Sequence, residues 1–269
     1  MNKILLLCGA KQSGKTSAAN FVAAYTLNRA GIIKDFAQDL DGNIDIKINY
    51  VDENGVTRIE EEFAPLDLRR RDPDFIRYAQ VNIWPYIKLY SFADNLKYVV
   101  STIFNIDINL LYGNNEDKNQ LTPVLWKDLE KLFPLKTPSR HQFLTIRELL
   151  QFFGTNVCRT IFNPCWVQAC LQDVAFNNSH LSIIDDGRFP NEVYGTRLCK
   201  NFNVRTIRFK RRIDNDTHAS ETEIYRVSPE YFDLDLDNSK MTLQQKNQTI
   251  FKAMKNWGWI EGQIGESSS

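Results

Sequence analysis

No apolar run in the 269-residue sequence approaches the roughly 20 residues that a helix needs to cross a bilayer, and no signal-like leader precedes the first apolar segment. Neither a membrane nor a secretory route is expected, and the expected compartment is the cytoplasm. An excess of charge is missing too. Lys+Arg and Asp+Glu stand at 33 each, so no overall positive field argues for a nucleic-acid partner. Paired cysteines are also lacking: Cys8, Cys158, Cys165, Cys170 and Cys199 are odd in number and form no C-x-x-C spacing. That argues against a disulfide framework and against a zinc site, leaving them as small buried hydrophobes. With 43% hydrophobic residues the chain is not of disordered composition. It can bury one large core with an inserted subdomain.

The stretch Gly9-Ala10-Lys11-Gln12-Ser13-Gly14-Lys15-Thr16 fits the phosphate-binding pattern G-x-x-x-x-G-K-[ST]. Apolar Ile4 to Leu7 reads as a strand before it, and Ser17 to Leu27 as a helix after it. A strand, a tight turn and a helix bring backbone N–H groups and the positive helix end to one point. Glycines let that backbone curl around phosphates, Lys15 reaches the β- and γ-phosphates, and the Thr16 hydroxyl suits Mg²⁺. A nucleoside triphosphate is the expected ligand of Gly9, Lys11, Ser13, Gly14, Lys15, Thr16 and the adjoining Ser17.

Further on, Ile44, Ile46, Ile48 and Tyr50 alternate with polar residues, the pattern resumes from Val56 to Phe63, and Asn54-Gly55 lies between. That predicts a β-hairpin inside an insertion over 34–66, a decoration projecting from the core. Phe75, Tyr78, Ala79 and Ile83 predict a helix ending before Pro85, and Ile87 to Tyr90 a second strand. Asp94 or Asn95 is positioned to cap a helix reaching Phe104, with Lys97 in its first turns. Residues 105–140 read as a loop-rich, flap-like segment. Thr145 with Glu148 makes a capping box for a helix that Gly154-Thr155 interrupts, and another helix follows Pro164.

His180 to Asp186 is a short apolar run ending in acids, a pattern that suits a strand whose carboxylate holds Mg²⁺. Arg188 adds a cation at the same edge, and Glu192 opens the next helix. Val204 to Phe209 predicts a fourth strand that delivers Arg208, Lys210, Arg211 and Arg212 toward an anion, within a lid-like segment at 210–219. Phe232 to Leu236 reads as a fifth strand, Asn238-Ser239 as a loop and cap, and Thr242 to Trp257 as a closing helix, with a flexible tail at 261–269. The fold class is therefore α/β: a mostly parallel five-stranded sheet flanked by helices, one domain over 1–260.

Several segments together resemble the bacteriophage deoxynucleoside monophosphate kinases. They are Gly9 to Thr16, Ser91-Phe92-Ala93-Asp94-Asn95-Leu96-Lys97, Leu111-Tyr112-Gly113, Thr145 to Thr155, Asp186-Gly187-Arg188-Phe189-Pro190-Asn191-Glu192 and His218-Ala219-Ser220-Glu221. The resemblance implies a P-loop kinase fold that moves the γ-phosphoryl of ATP onto a dNMP with Mg²⁺, in a host cytoplasm if the chain is phage-encoded. It implies ATP contacts from Lys11, Lys15 and the loop, an adenine-side role for Asn238, and Mg²⁺ at Thr16 and Asp186. Lys97, Arg147, Gly154, Thr155, Arg159, Trp166, Asp186, Arg188, Glu192 and His218 would line the monophosphate site. Lys15, Asp186, Arg188 and Arg211 would act on the transferred group, and Trp166 is suited to stacking a base. ATP and dNMP are thus the expected partners, with a homodimer left open. Two alternatives stay open: a kinase of another phosphorylated acceptor, similar to phosphomevalonate kinase, and a non-catalytic nucleotide-binding switch or assembly protein.

Overall fold

The computed structural model describes residues 1–51, 57–59, 62–130, 142–211 and 222–261. The chain begins with β1 (Lys3–Cys8), α1 (Lys15–Arg29), β2 (Asp35–Gln38), β3 (Ile44–Lys47), β4 (Asn49–Val51), β5 (Thr57–Ile59), β6 (Ala64–Leu66), α2 (Pro73–Asn82) and β7 (Ile87–Tyr90). There follow α3 (Ala93–Phe104), α4 (Ile108–Tyr112), α5 (Asn115–Lys118), β8 (Leu121–Leu125), α6 (Trp126–Glu130), β9 (Phe143–Thr145) and α7 (Ile146–Gln151). A π-helical stretch (Phe152–Arg159) leads to α8 (Cys165–Asn177), β10 (Leu181–Gly187), α9 (Pro190–Arg197) and β11 (Asn203–Phe209). After two short 3₁₀ turns come β12 (Leu234–Leu236) and the last helix, α10 (Leu243–Asn256). By its contacts the chain divides into two compact units, Met1–Ser91 with Gln172–Ser269, and Phe92–Leu171.

The first unit is α/β, built on an all-parallel five-stranded sheet in the order β12-β11-β1-β10-β7. β1 takes the centre because Ile4 to Cys8 are apolar without a break and fully buried, as a strand covered on both faces must be. Leu5 and Leu7 join Ile183, Ile207 and Phe209 in one core with Ala18, Val22, Ile250, Phe251 and Met254 of α1 and α10. All five core strands read from the sequence are present. The insertion is larger than a hairpin: β2, β3 and β6 form an antiparallel sheet, and β4 pairs with β5 with Tyr50 opposite Arg58. β2 was missed because Asp35–Gln38 is a four-residue edge strand with little apolar alternation. The expected Asn54-Gly55 turn lies outside the described residues.

The second unit has its own core of Val100, Leu111, Leu144, Ile146 and Leu149. Its described part is less loop-rich than expected for 105–140, since α4, α5, β8 and α6 occupy much of 105–130. Short-range caps hold these small helices: the Asp107 carboxylate accepts from Asn109 N, and Asn114 forms a capping box with Asp117. Two further expectations change. α3 starts at Ala93 with neither Asp94 nor Asn95 as its cap, and Asp94 instead accepts the Tyr112 hydroxyl at 2.7 Å. Gly154-Thr155 does not end a helix, because the chain continues helically through it in the wider π turn. Gly154 is buried there, where a Cβ would sit 2.7 Å from Leu96 Cδ2. The capping box of Thr145 and Glu148 is as expected.

Candidate functional site

At the C-terminal end of β1 the backbone turns at Gly9 with φ 145°, a conformation L side chains avoid. A Cβ there would meet Phe209 O at 2.8 Å and Ser13 Oγ at 2.7 Å. The loop closes at Gly14, φ 100°, which begins α1 without a side-chain cap, and no acidic residue occupies the first helical turn. The helices α2, α7 and α10 all begin with a side-chain cap. An N-terminus without a side-chain cap or first-turn acid carries donors and positive potential that suit an anion. Lys15 is buried and its ammonium donates to Gly9 O at 2.8 Å, Ala10 O at 2.6 Å and Ser13 Oγ at 3.4 Å. Lys11 and Thr16 are exposed, and Ser13 is buried. Tyr225 braces the loop from outside: its hydroxyl accepts from Ala10 N and donates to Phe209 O, both at 3.3 Å.

The neighbouring strand β10 ends beside this loop, where Gly9 N donates to Gly187 O at 3.0 Å. A Cβ on Gly187 would lie 2.7 Å from Cys8 Sγ, so glycine permits the approach. The Asp185 carboxylate is ion-paired with Arg69, which also donates to Asn20 Oδ1 at 2.7 Å. Asp186 is half-buried and accepts the Ser91 hydroxyl. The two adjacent acids thus meet different partners: Asp185 an arginine, and Asp186 the Ser91 hydroxyl. Glu192 is 2% exposed and caps α9, taking the amides of Arg188 at 2.7 Å and Phe189 at 2.9 Å. Burial pushes the Cys8 thiol well above its usual range, and the charges of Glu192, Lys15, Asp186 and Arg208 all act on it. Those four charged groups therefore converge on the end of β1.

The four cations expected at the end of β11 are not equivalent. Arg208 is buried within the strand, donating to both Asp235 oxygens at 2.8 and 2.9 Å and to Val227 O at 2.8 Å. Lys210 is ion-paired with the same carboxylate at 2.7 Å. Burial alone would raise Asp235, but the hydrogen bonds from Arg208 and Lys210 outweigh it and hold the carboxyl below its usual range. Arg208 is thus a strand-to-strand brace, which corrects its place among the anion-facing cations. Arg211 is exposed, with its amide on Asn238 Oδ1 at 3.2 Å. Arg212 and His218, and most of 210–219, lie outside the described residues.

Asn238 is buried and its Nδ2 donates to Ser13 O at 2.8 Å. It does not cap α10; Thr242 does, in a capping box with Gln245. Lys246 went unnoticed in the sequence, where it is one lysine in a polar helix. It is 4% exposed and its Nζ reaches Gly14 O at 3.3 Å and the Ser17 hydroxyl. Burial, with the charge of Arg211, lowers its pKa to about 8.

In the second unit Lys97 Nζ stands 3.8 Å from the centre of the Tyr112 ring, and Arg147 Nη2 donates to Asn115 Oδ1 at 2.9 Å. Gly154, Thr155 and Arg159 share the π-helical stretch, a geometry frequent at functional sites. Trp166 is buried and its indole N–H donates to Gly154 O at 3.1 Å, so its polar edge is committed to the fold. Elsewhere in the first unit an apolar cavity of about 350 Å³ is lined by Leu27, Ile33, Ile46, Leu66, Phe75 and Ile83. Leu27 stands at the other end of α1 from the loop, roughly 18 Å along the helix at 1.5 Å per residue.

No protein-family model matches the sequence, and no curated protein matches it. Among the described residues no helix is long and apolar enough to cross a membrane.

Proposed function

We propose that the chain is a P-loop kinase that transfers the γ-phosphoryl group of ATP to a deoxynucleoside monophosphate, giving ADP and dNDP. One observation carries the reading. At the C-terminal edge of a parallel sheet, the Gly9–Gly14 loop enters a helix that lacks a side-chain cap and acidic first-turn residues, while the adjacent strand carries Asp186 near its end and is followed by Arg188. Open parallel sheets bind ligands at this edge.

The residues fit Mg²⁺ as a co-ligand. No group of three or more His, Cys, Asp or Glu among the described residues could hold a metal, whereas Thr16 and Asp186 offer one hydroxyl and one carboxylate. That donor set suits an ion that takes most of its ligands from phosphate and water. When bound, the ion would neutralise charge on the β- and γ-phosphates. Lys15 would exchange the carbonyls of Gly9 and Ala10 for phosphate oxygens, and Lys11 would approach from the exposed side. Arg188 and the exposed Arg211 are the cations proposed to meet the transferred group, and two anionic substrates require such cations more than a general base.

The identity of the acceptor rests on the resemblance, which assigns Lys97, Arg147, Gly154, Thr155, Arg159, Trp166, Asp186, Arg188, Glu192 and His218 to the monophosphate. Glu192 serves as a cap for α9, so Asp186 is the stronger candidate for a substrate contact. A coupled ADP-release assay over dNMPs, NMPs and phosphomevalonate tests the reading. Turnover is expected with one or more dNMPs. Turnover only with phosphomevalonate, or ATP binding without any acceptor-stimulated turnover, would replace it. Lys15→Ala is expected to lower kcat/KM by about 10³-fold or more while keeping a cooperative melting transition.

A further inference from the structure

We infer that Lys246 is a positioning residue of the phosphate loop, reaching from α10 to hold the Gly14 carbonyl and the Ser17 hydroxyl so that the first amides of α1 face a bound polyphosphate. The inference rests on reading Gly9–Thr16 as a phosphate site.

In a trans peptide the carbonyl and the following N–H point in opposite directions across one rigid plane. Fixing a carbonyl therefore aims the next amide. Gly14 O accepts from Ala18 N at 3.1 Å, from Ser17 Oγ at 3.1 Å and from Lys246 Nζ at 3.3 Å, which turns the Lys15 amide away from the helix body. One peptide earlier, Asn238 Nδ2 holds Ser13 O at 2.8 Å and orients the Gly14 amide in the same way. Lys15 does so for Gly9 O and Ala10 O. Both outer props, Asn238 and Lys246, come from the segment that follows β11, so the loop is held by chain more than two hundred residues away in sequence.

A structural lysine has no need of this place. Lys246 is nine-tenths buried, its partners are a carbonyl and a hydroxyl, and no carboxylate lies within ion-pair distance of it among the described residues. It stands beside the positive end of α1, near Arg211. A desolvated ammonium in that position is unfavourable until an anion arrives.

Isothermal titration of ATP and of sodium tripolyphosphate into wild type, Lys246→Met and Lys246→Arg tests the inference. Lys246→Met is expected to weaken both ligands by a similar factor, about 10- to 100-fold. Lys246→Arg, which keeps the charge and a donor, is expected to recover part of that loss. The melting midpoint of Lys246→Met should stay at or above that of wild type, because an unpaired buried charge has been removed. Wild-type affinity in Lys246→Met overturns the inference, and so does a loss confined to ATP, which would put Lys246 on the nucleoside. If Lys246→Met does not fold, Lys246→Gln is read by the same criteria. A wild-type protein that binds neither ligand overturns the phosphate-site reading itself, and this inference with it.

Discussion

Lys246 retains its place although its ammonium is costly to bury. A pKa brought from 10.5 to about 8 corresponds to a destabilisation of about 3 kcal/mol at neutral pH. Between those values the unfolded chain binds the proton that the folded chain has released, so stability rises with pH across that window. The cost is present in full below about 8 and is relieved above it. After desolvation, the charge that bears on Lys246 is that of Arg211, after β11, a cation that favours release of the proton. Denaturant midpoints of wild type relative to Lys246→Met are therefore expected to rise from pH 8 to pH 10, while wild-type affinity for tripolyphosphate falls over the same range. Parallel slopes for the two quantities would refute a lysine that opposes folding and favours the anion.

Among the elements, the inserted sheet changes its meaning most. Read as a decoration, it is instead fastened to α1, the helix that follows Gly9–Gly14. Gly42, at φ 89° in the turn between β2 and β3, comes so close to α1 that a Cβ would lie 2.2 Å from Ser17 Cβ. Asn20 and Gln38 donate to Gly42 O at 2.9 and 3.0 Å, and Gln38 also donates to Ser17 O at 2.8 Å. Asn247 of α10 adds a bond to Gln38 Oε1 at 2.7 Å. Positive φ and a backbone-to-helix approach both demand glycine at this position. Gly42→Ala should cost about 2–4 kcal/mol and weaken ATP, since Ser17 is one residue past Thr16. A melting curve and an ATP titration on the same sample check this; unchanged values in both would show that the turn is free to move away.

For the whole molecule, a ligand that binds only the folded state adds stability as its concentration passes Kd, about 2.7 kcal/mol at one hundred times Kd. With Mg²⁺ and ATP at that excess the melting temperature of wild type is expected to rise by about 5–10 °C. Lys15→Ala should lose most of that shift, and differential scanning calorimetry measures both. An equal shift in the two proteins would mean that the nucleotide binds away from the loop.

Short-range physics made much of this chain legible. β1 was readable because a buried parallel strand is a nearly continuous apolar run, β7, β10, β11 and β12 because each is a short, largely apolar or β-branched segment, and β1 leads into a loop whose glycine spacing is local. The capping box at Thr145 was readable for the same reason: its two partners are three residues apart. The π-helical course through Gly154 was not, since it depends on the fit of Leu96 and on the Trp166 indole. Arg208 looked like a free cation until the register of β11 and β12 set it opposite Asp235. By itself the sequence determined the parallel α/β sheet and the eight-residue loop Gly9–Thr16, because hydrophobic period, turn chemistry and helix capping act over a few residues. Only the tertiary structure decided which charges are already neutralised and which carbonyls of that loop are held. Lys246 and Gly14 are 232 residues apart, and no local pattern records a contact made by strand order and helix packing.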